Sequence, residues 1–105
     1  MVVAIPKLSE EELQSARRAA TEARRVRAEF KEQVRQGSLS IHDALDKAMD
    51  DDMLAHIKVI DLLKTQRRIG QVRAEEIMDK LSIAPTRRLR GLGRHQIDGI
   101  VEEFR

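Results

Sequence analysis

The chain has 105 residues, enough for one small domain or a domain with one appended element and too few for a two-domain enzyme. It holds no Cys, Trp or Tyr, and its two aromatic residues are Phe30 and Phe104, which excludes disulfides, cysteine metal sites and aromatic platforms for stacking bases. The formal charge of +2 is an average over unlike segments: residues 1–63 carry a net −2, whereas residues 64–95 alone carry a net +6. Fourteen of the twenty cations are Arg, whose planar fork suits bidentate phosphate contact, so a polyanion is the first partner to consider.

Met1 to Lys7 offer neither a basic leader nor an apolar run of signal-peptide length, and no stretch reaches membrane-spanning length; a soluble, cytoplasmic protein is expected. Ser9 and Glu12 form a capping box, and with Glu10 and Glu11 in the first turn they start a long helix that ends at Gly37. Its stripe of Leu13, Ala16, Ala20, Ala23, Phe30 and Val34 is mostly Ala over the first half, so that half is expected to project beyond the core. Ser40 with Asp43 starts a short second helix over about 41–50. Asp51 or Asp52 caps a third over 53–64, which Met53, Leu54, Ile57, Val59, Ile60, Leu62 and Leu63 mark as the central core helix.

Ala74, Ile77, Met78 and Leu81 give a fourth helix, and Ile97, Ile100, Val101 and Phe104 a fifth. Between them, residues 82–93 hold Pro85, Gly91 and Gly93 and read as two successive turns. No segment alternates with period two over strand length, so the expected fold is all-α with about five helices.

The strongest chemical signal is Arg87-Arg88-Leu89-Arg90-Gly91-Leu92-Gly93-Arg94, directly before the fifth helix. Glycines let the backbone approach a ligand, a helix start offers N–H groups to anions, and the guanidiniums surround both. A weaker copy, Lys64 with Arg67-Arg68-Ile69-Gly70-Gln71-Val72-Arg73, opens the fourth helix. On the first helix Arg17, Arg24 and Lys31 recur every seven residues as a basic stripe. The competing readings are a solvated cationic loop, simple helix capping, and a solvated face or dimerising Ala stripe, respectively.

Asp50-Asp51-Asp52 reads as capping rather than a metal site, and His42, His56 and His95 as isolated, without carboxylates at ligand spacing. No catalytic arrangement can be assembled, so the chain reads as a binder and not an enzyme, with no cofactor and no metal.

The run Asp61-Leu62-Leu63, Ile69 to Ala74, Ile77-Met78, Leu81, Ile83, Thr86 to Gly93 and Gln96-Ile97 resembles the actinobacterial integration host factors, a likeness extended less specifically by Glu29 to Lys31. The resemblance implies a nucleoid-associated protein that binds double-stranded DNA through its backbone with little sequence specificity, assists site-specific recombination and modulates DNA topology. It implies a long N-terminal basic helix over 1–37 with a short disordered start, and a helix-two-turns-helix DNA-binding domain over 38–105. It places the first phosphate-binding turn on Arg67, Arg68, Gly70 and Arg73 and the second on Arg87, Arg88, Arg90, Gly91, Gly93 and Arg94. A phage integrase–DNA complex or a topoisomerase are the further partners it suggests, with no membrane.

One departure stands out. Where the family usually carries Pro-Gly-x-Gly-Lys, this chain has Arg67-Arg68-Ile69-Gly70-Gln71, with Arg68 in place of the first glycine and Gln71 in place of the lysine. Two other readings remain: a ribosomal-RNA-binding helix-two-turns-helix protein of the small-subunit type, and a helical scaffold protein that binds no nucleic acid. The first is expected to carry a long basic tail where this sequence ends at Arg105, and the second leaves the arginine-glycine block unexplained.

Overall fold

In a computed structural model, residues 9–105 are described; the expected disordered start lies outside them. Six α-helices follow in order: α1 Glu10–Gln36, α2 Ile41–Met49, α3 Asp52–Ala55, α4 Val59–Leu63, α5 Gln71–Lys80 and α6 Arg94–Glu103, with a short 3-10 turn at Leu89–Gly91. The described residues contain no strand, only an isolated antiparallel bridge between Lys58 and Arg88.

The helix boundaries follow the capping chemistry. The Ser9 hydroxyl accepts from Glu12 N–H at 3.1 Å while Glu12 accepts from Ser9 N–H at 3.3 Å, and the Ser40 hydroxyl accepts from Asp43 N–H at 3.1 Å. Gly37 closes α1 at φ 83°, a left-handed conformation that glycine adopts without steric cost. After α5, Ser82 takes the left-handed position at φ 57°, and Ile83 N–H donates back to Met78 O at 2.8 Å, closing a Schellman-type end.

The core is built from Phe30 and Val34 of α1, Ala44 and Leu45 of α2, Leu54, Val59, Leu62 and Leu63, Ile77 and Met78 of α5, Leu89, and Ile100 of α6. On α1 only Phe30 and Val34 are buried, so the first half of the helix projects as its Ala-rich stripe foretells. The described residues consequently extend 61 × 31 × 24 Å, with a radius of gyration of 17.3 Å, against about 13 Å for a compact chain of this length.

The expected single helix over 53–64 is instead two helices, α3 and α4, separated at His56–Lys58. The cause is tertiary. Val59 N–H donates to Arg87 O and Leu89 N–H to Ile57 O, both at 2.9 Å, so the segment gives up helical bonding to pair with the arginine-glycine block. The apolar pattern survives the break, because Leu54, Ile57, Val59, Leu62 and Leu63 are all buried, whereas Met53 is 44% exposed and lies outside the core. The total is therefore six α-helices rather than five.

Leu89, fully buried, fastens the 3-10 turn to this pairing, and Leu92 three residues on is buried beside it. The i, i+3 spacing suits a 3-10 turn, which stacks such residues on one side and leaves Arg88 and Arg90 outside. Leu89→Ala should cost about 2–5 kcal/mol in urea denaturation, the usual range for emptying a buried leucine site. A loss well under 1 kcal/mol would mean that the turn is not anchored through this side chain.

Candidate nucleic-acid interface

Two turns lead into helices through glycine. Gly70 precedes α5 and Gly93 precedes α6, and neither can offer a side-chain acceptor to the free N–H groups of the first helical turn. At α6, Gln96 covers the Gly93 N–H at 2.9 Å and donates to Ser82 O at 3.1 Å, which fixes the entry of the helix and leaves its first-turn donors open to an anion.

At the first turn, Arg67 and Arg68 are exposed, and Arg68 adopts φ 69°. That left-handed conformation is normally left to glycine, so Arg68 holds a glycine-like backbone while carrying a cation. Gln71 accepts from Lys64 Nζ at 3.2 Å and donates to Glu75 at 2.7 Å, which holds the Lys64 charge beside the start of α5. Arg73 is engaged internally, by Glu103 at 3.0 Å and Glu76 at 3.3 Å; Glu103, mostly buried, also receives Lys80 at 3.1 Å and so clamps α5 to α6.

At the second turn, Arg87 folds over Gly91 and donates to its carbonyl at 2.7 Å. A Cβ on Gly91 would lie 2.7 Å from Arg87 Cδ, so the glycine is what admits this brace. Arg88 donates to His56 O at 2.5 Å, and Arg90 approaches His56 Nε2 at 3.4 Å. His56 Nδ1 lies 2.6 Å from Asp52 O, which makes Nδ1 the donor and leaves Nε2 to accept from Arg90 in the neutral ring. Neither guanidinium meets a carboxylate within 4 Å among the described residues, so both keep their charge. Arg94 and His95, in the first turn of α6, are exposed.

On α1, Arg25 is bound by Glu22 and Glu29, and Arg35 by Glu32. The hydrogen bond from Arg25 holds the Glu22 carboxyl below the usual carboxylate range, opposed in part by desolvation and aided to a lesser degree by the guanidinium's charge. Arg17, Arg24 and Lys31 have no ion pair within 4 Å among the described residues. Lys31 shares a cleft with Arg88, so the foot of the helical stripe meets the second turn. Arg27 and Lys58, which the sequence reading leaves out of the site, line the same cleft. The spacing of Arg27 four residues before Lys31 is a sequence signal for its membership; that of Lys58 emerges only from the bridge to Arg88.

The histidines are less isolated than expected. His42 stands 3.6 Å from Asp46 at i, i+4, and one ligand atom each of His42, Asp43 and Asp46 lies within 4.8 Å of the others. All three are exposed, and the arrangement is that of an ordinary surface helix pair. Of the aspartate run, Asp51 caps α3 by accepting from Met53 N–H at 3.0 Å.

A family model for the S13-like H2TH domain matches residues 34–104. The chain is 42% identical over 102 residues to the integration host factor of Mycolicibacterium smegmatis and, to the same extent, to that of Mycobacterium tuberculosis, covering 97% of each chain in both cases. The chain belongs to the integration host factor family. The Streptomyces coelicolor member is 37% identical over 97% of this chain and 95% of its own. A solved structure of sIHF bound to an 8-bp palindromic DNA has 38% identity and a TM-score of 0.81, over 84% of this chain and 99% of that one. Within this family fold, the 27-residue α1 and the domain over 34–104 share one core through Phe30 and Val34.

Arg68→Gly tests the strained turn. Relief of a left-handed non-glycine residue, about 1–2 kcal/mol, set against the extra chain entropy of glycine, should leave the protein about 0.5–1 kcal/mol more stable in urea. Destabilisation would show that Arg68 makes folded-state contacts that outweigh its backbone cost.

Proposed function

We propose that this chain is a double-stranded DNA-binding architectural protein of the nucleoid, without catalytic activity, that grips the phosphate backbone with little sequence specificity. The observation that carries the reading is the second turn: Arg88, Arg90 and Arg94 stand exposed around the glycine entry to α6 on a loop pinned to the core. The similar protein solved with an 8-bp DNA supports it.

In this reading Arg88, Arg90 and Arg94 contact phosphates at the second turn, where Gly91 and Gly93 permit close backbone approach and Arg87 braces the loop. Arg67 and Arg68 do the same at the first turn, with Gly70 opening the helix start and Arg73 holding α5 to α6. Arg17, Arg24 and Lys31 extend the basic surface along α1. The cations sit at turns and on a helix side, not on a helix set to enter the major groove, so base readout is weak and any preference comes from DNA shape.

A domain over 38–105 with an N-terminal region over 1–37 that carries the basic helix α1 fits this division of labour. No described helix is long and apolar enough to cross a membrane, and the place of action we propose is the cytoplasmic nucleoid. A backbone clamp of this kind suits assistance to site-specific recombination, with a phage integrase–DNA complex as one partner, and modulation of DNA topology alongside a topoisomerase.

Competition of duplex DNA, single strands and structured RNA for the full chain, at several salt concentrations, separates the readings. Duplexes of unrelated sequence should bind alike, with the log–log salt slope steepened by about 0.9 per phosphate neutralised. Arg90→Ala with Arg94→Ala should weaken all duplexes together and lower that slope by about 1.8, with helical content unchanged. A flat salt response, strong sequence discrimination, or preference for structured RNA would overturn the proposal.

A further inference from the structure

The cleft between α1 and the segment joining α3 to α4 has a volume of about 340 Å³ and gathers cations from three separate parts of the chain. Arg27 and Lys31 come from α1, Lys58 from the turn before α4 and Arg88 from the second turn, with Ile57 and Ile60 among the apolar lining and Asp61 as the one acid. Among the described residues none of the four cations makes an ion pair within 4 Å; Arg88 spends one Nη on the neutral carbonyl of His56. Lys58 and Arg88 are moreover opposite each other in the antiparallel bridge, where like charges destabilise the pairing. Four positive groups against one negative, two of them held face to face by backbone hydrogen bonds, form a site whose charge is completed by an anion from outside.

The size and the lining indicate which anion. A cleft of about 340 Å³ is at the small end of ligand sites, which run from roughly 300 Å³ upward, and is suited to one nucleotide unit rather than a larger molecule. Its cationic walls suit a phosphodiester and its half-buried Ile60 the apolar face of a deoxyribose, while the chain has no Trp or Tyr to hold an unstacked base. Arg88 belongs to the second turn, and Lys31 continues the stripe of Arg24 and Arg17, so the cleft joins the two basic surfaces.

We infer that this cleft seats a backbone phosphate of the duplex held by the second turn, with Arg27 and Lys58 as contact residues at the junction of α1 and that turn. The inference rests on the DNA-binding reading above and adds to it a specific seat. Asp61 opposes the bound phosphate and limits affinity.

The test is fluorescence anisotropy of the full chain on a labelled 12-bp duplex, roughly 40 Å long, across a salt series under conditions of one-to-one binding. Lys58→Gln should lower the log–log salt slope by about 0.9, and Arg27→Gln with Lys58→Gln by about 1.8, with affinity reduced about tenfold at moderate salt. Asp61→Asn should raise affinity two- to threefold, an increase that a merely structural role for the cleft does not produce, and Arg105→Gln, remote from the cleft, should change nothing. Arg27 is half-buried, so Arg27→Lys keeps its charge as a control, and the exposed Lys58→Gln decides the matter alone if Arg27→Gln does not fold by circular dichroism. If the wild type binds with a steep salt slope and the cleft variants leave slope and affinity unchanged, the seat is wrong and the DNA-binding reading stands. If the wild type does not bind duplex DNA, that reading itself falls.

Discussion

Two backbone hydrogen bonds organise the basic half of this molecule: Val59 N–H to Arg87 O and Leu89 N–H to Ile57 O. A loop rich in arginine and glycine has every reason to remain mobile, because its like charges repel and its glycines lose much entropy on ordering. The pairing opposes both by giving buried backbone groups their partners and by drawing Leu89 into the core between the helices. Once Leu89 is fixed inside, its neighbours Arg88 and Arg90 must point out, and the bridge that results places Lys58 opposite Arg88. The position of the basic surface is thus a consequence of core packing, with the cations carried on a backbone that hydrophobic burial has already made rigid.

The same economy of position divides the arginines into two groups. Arg73 and Lys80 converge on Glu103, Arg87 lies on the Gly91 carbonyl, and Arg25 and Arg35 are matched by glutamates along α1. These hold shape. Arg17, Arg24, Arg67, Arg68, Arg90 and Arg94 have no carboxylate within 4 Å among the described residues and keep their charge for solvent or a ligand. The exposed pairs of the first group contribute little to stability, whereas the mostly buried Glu103, which receives both Arg73 and Lys80, ties the C-terminal end of α6 to α5.

Much of this was legible in the sequence because it is governed by local chemistry. Ser9, Gly37, Ser40 and Asp51 mark helix ends through hydrogen bonds that span three residues or fewer, or through a left-handed φ. The projection of α1 follows from counting alanines where a core-facing helix would need larger side chains. The break between α3 and α4 was not legible, since Leu54, Ile57, Leu62 and Leu63 satisfy a helical period whether or not the helix is continuous. What interrupts it is a partner some thirty residues away, and periodicity carries no information about such a partner. Lys58 was missed for the same reason: it enters the site through the bridge, not through any neighbour in sequence.

The first turn shows a different relation between sequence and structure. Arg68 holds φ 69°, a backbone that glycine adopts freely, and not a conformation that arginine prefers. The flanking structure therefore dictates that conformation: Ile69, half-buried, packs on the core on one side, and Thr65, buried and donating to Leu62 O at 2.6 Å, ends α4 on the other. A turn this constrained bears a strain of order 1–2 kcal/mol without reorganising, which a protein of ordinary stability can carry. The turn thereby carries a guanidinium on the approach to α5, where Gln71 also holds the Lys64 charge. In the proposed reading the two turns work by different means: the first by side chains on a strained backbone, the second by a glycine entry with arginines arranged around it.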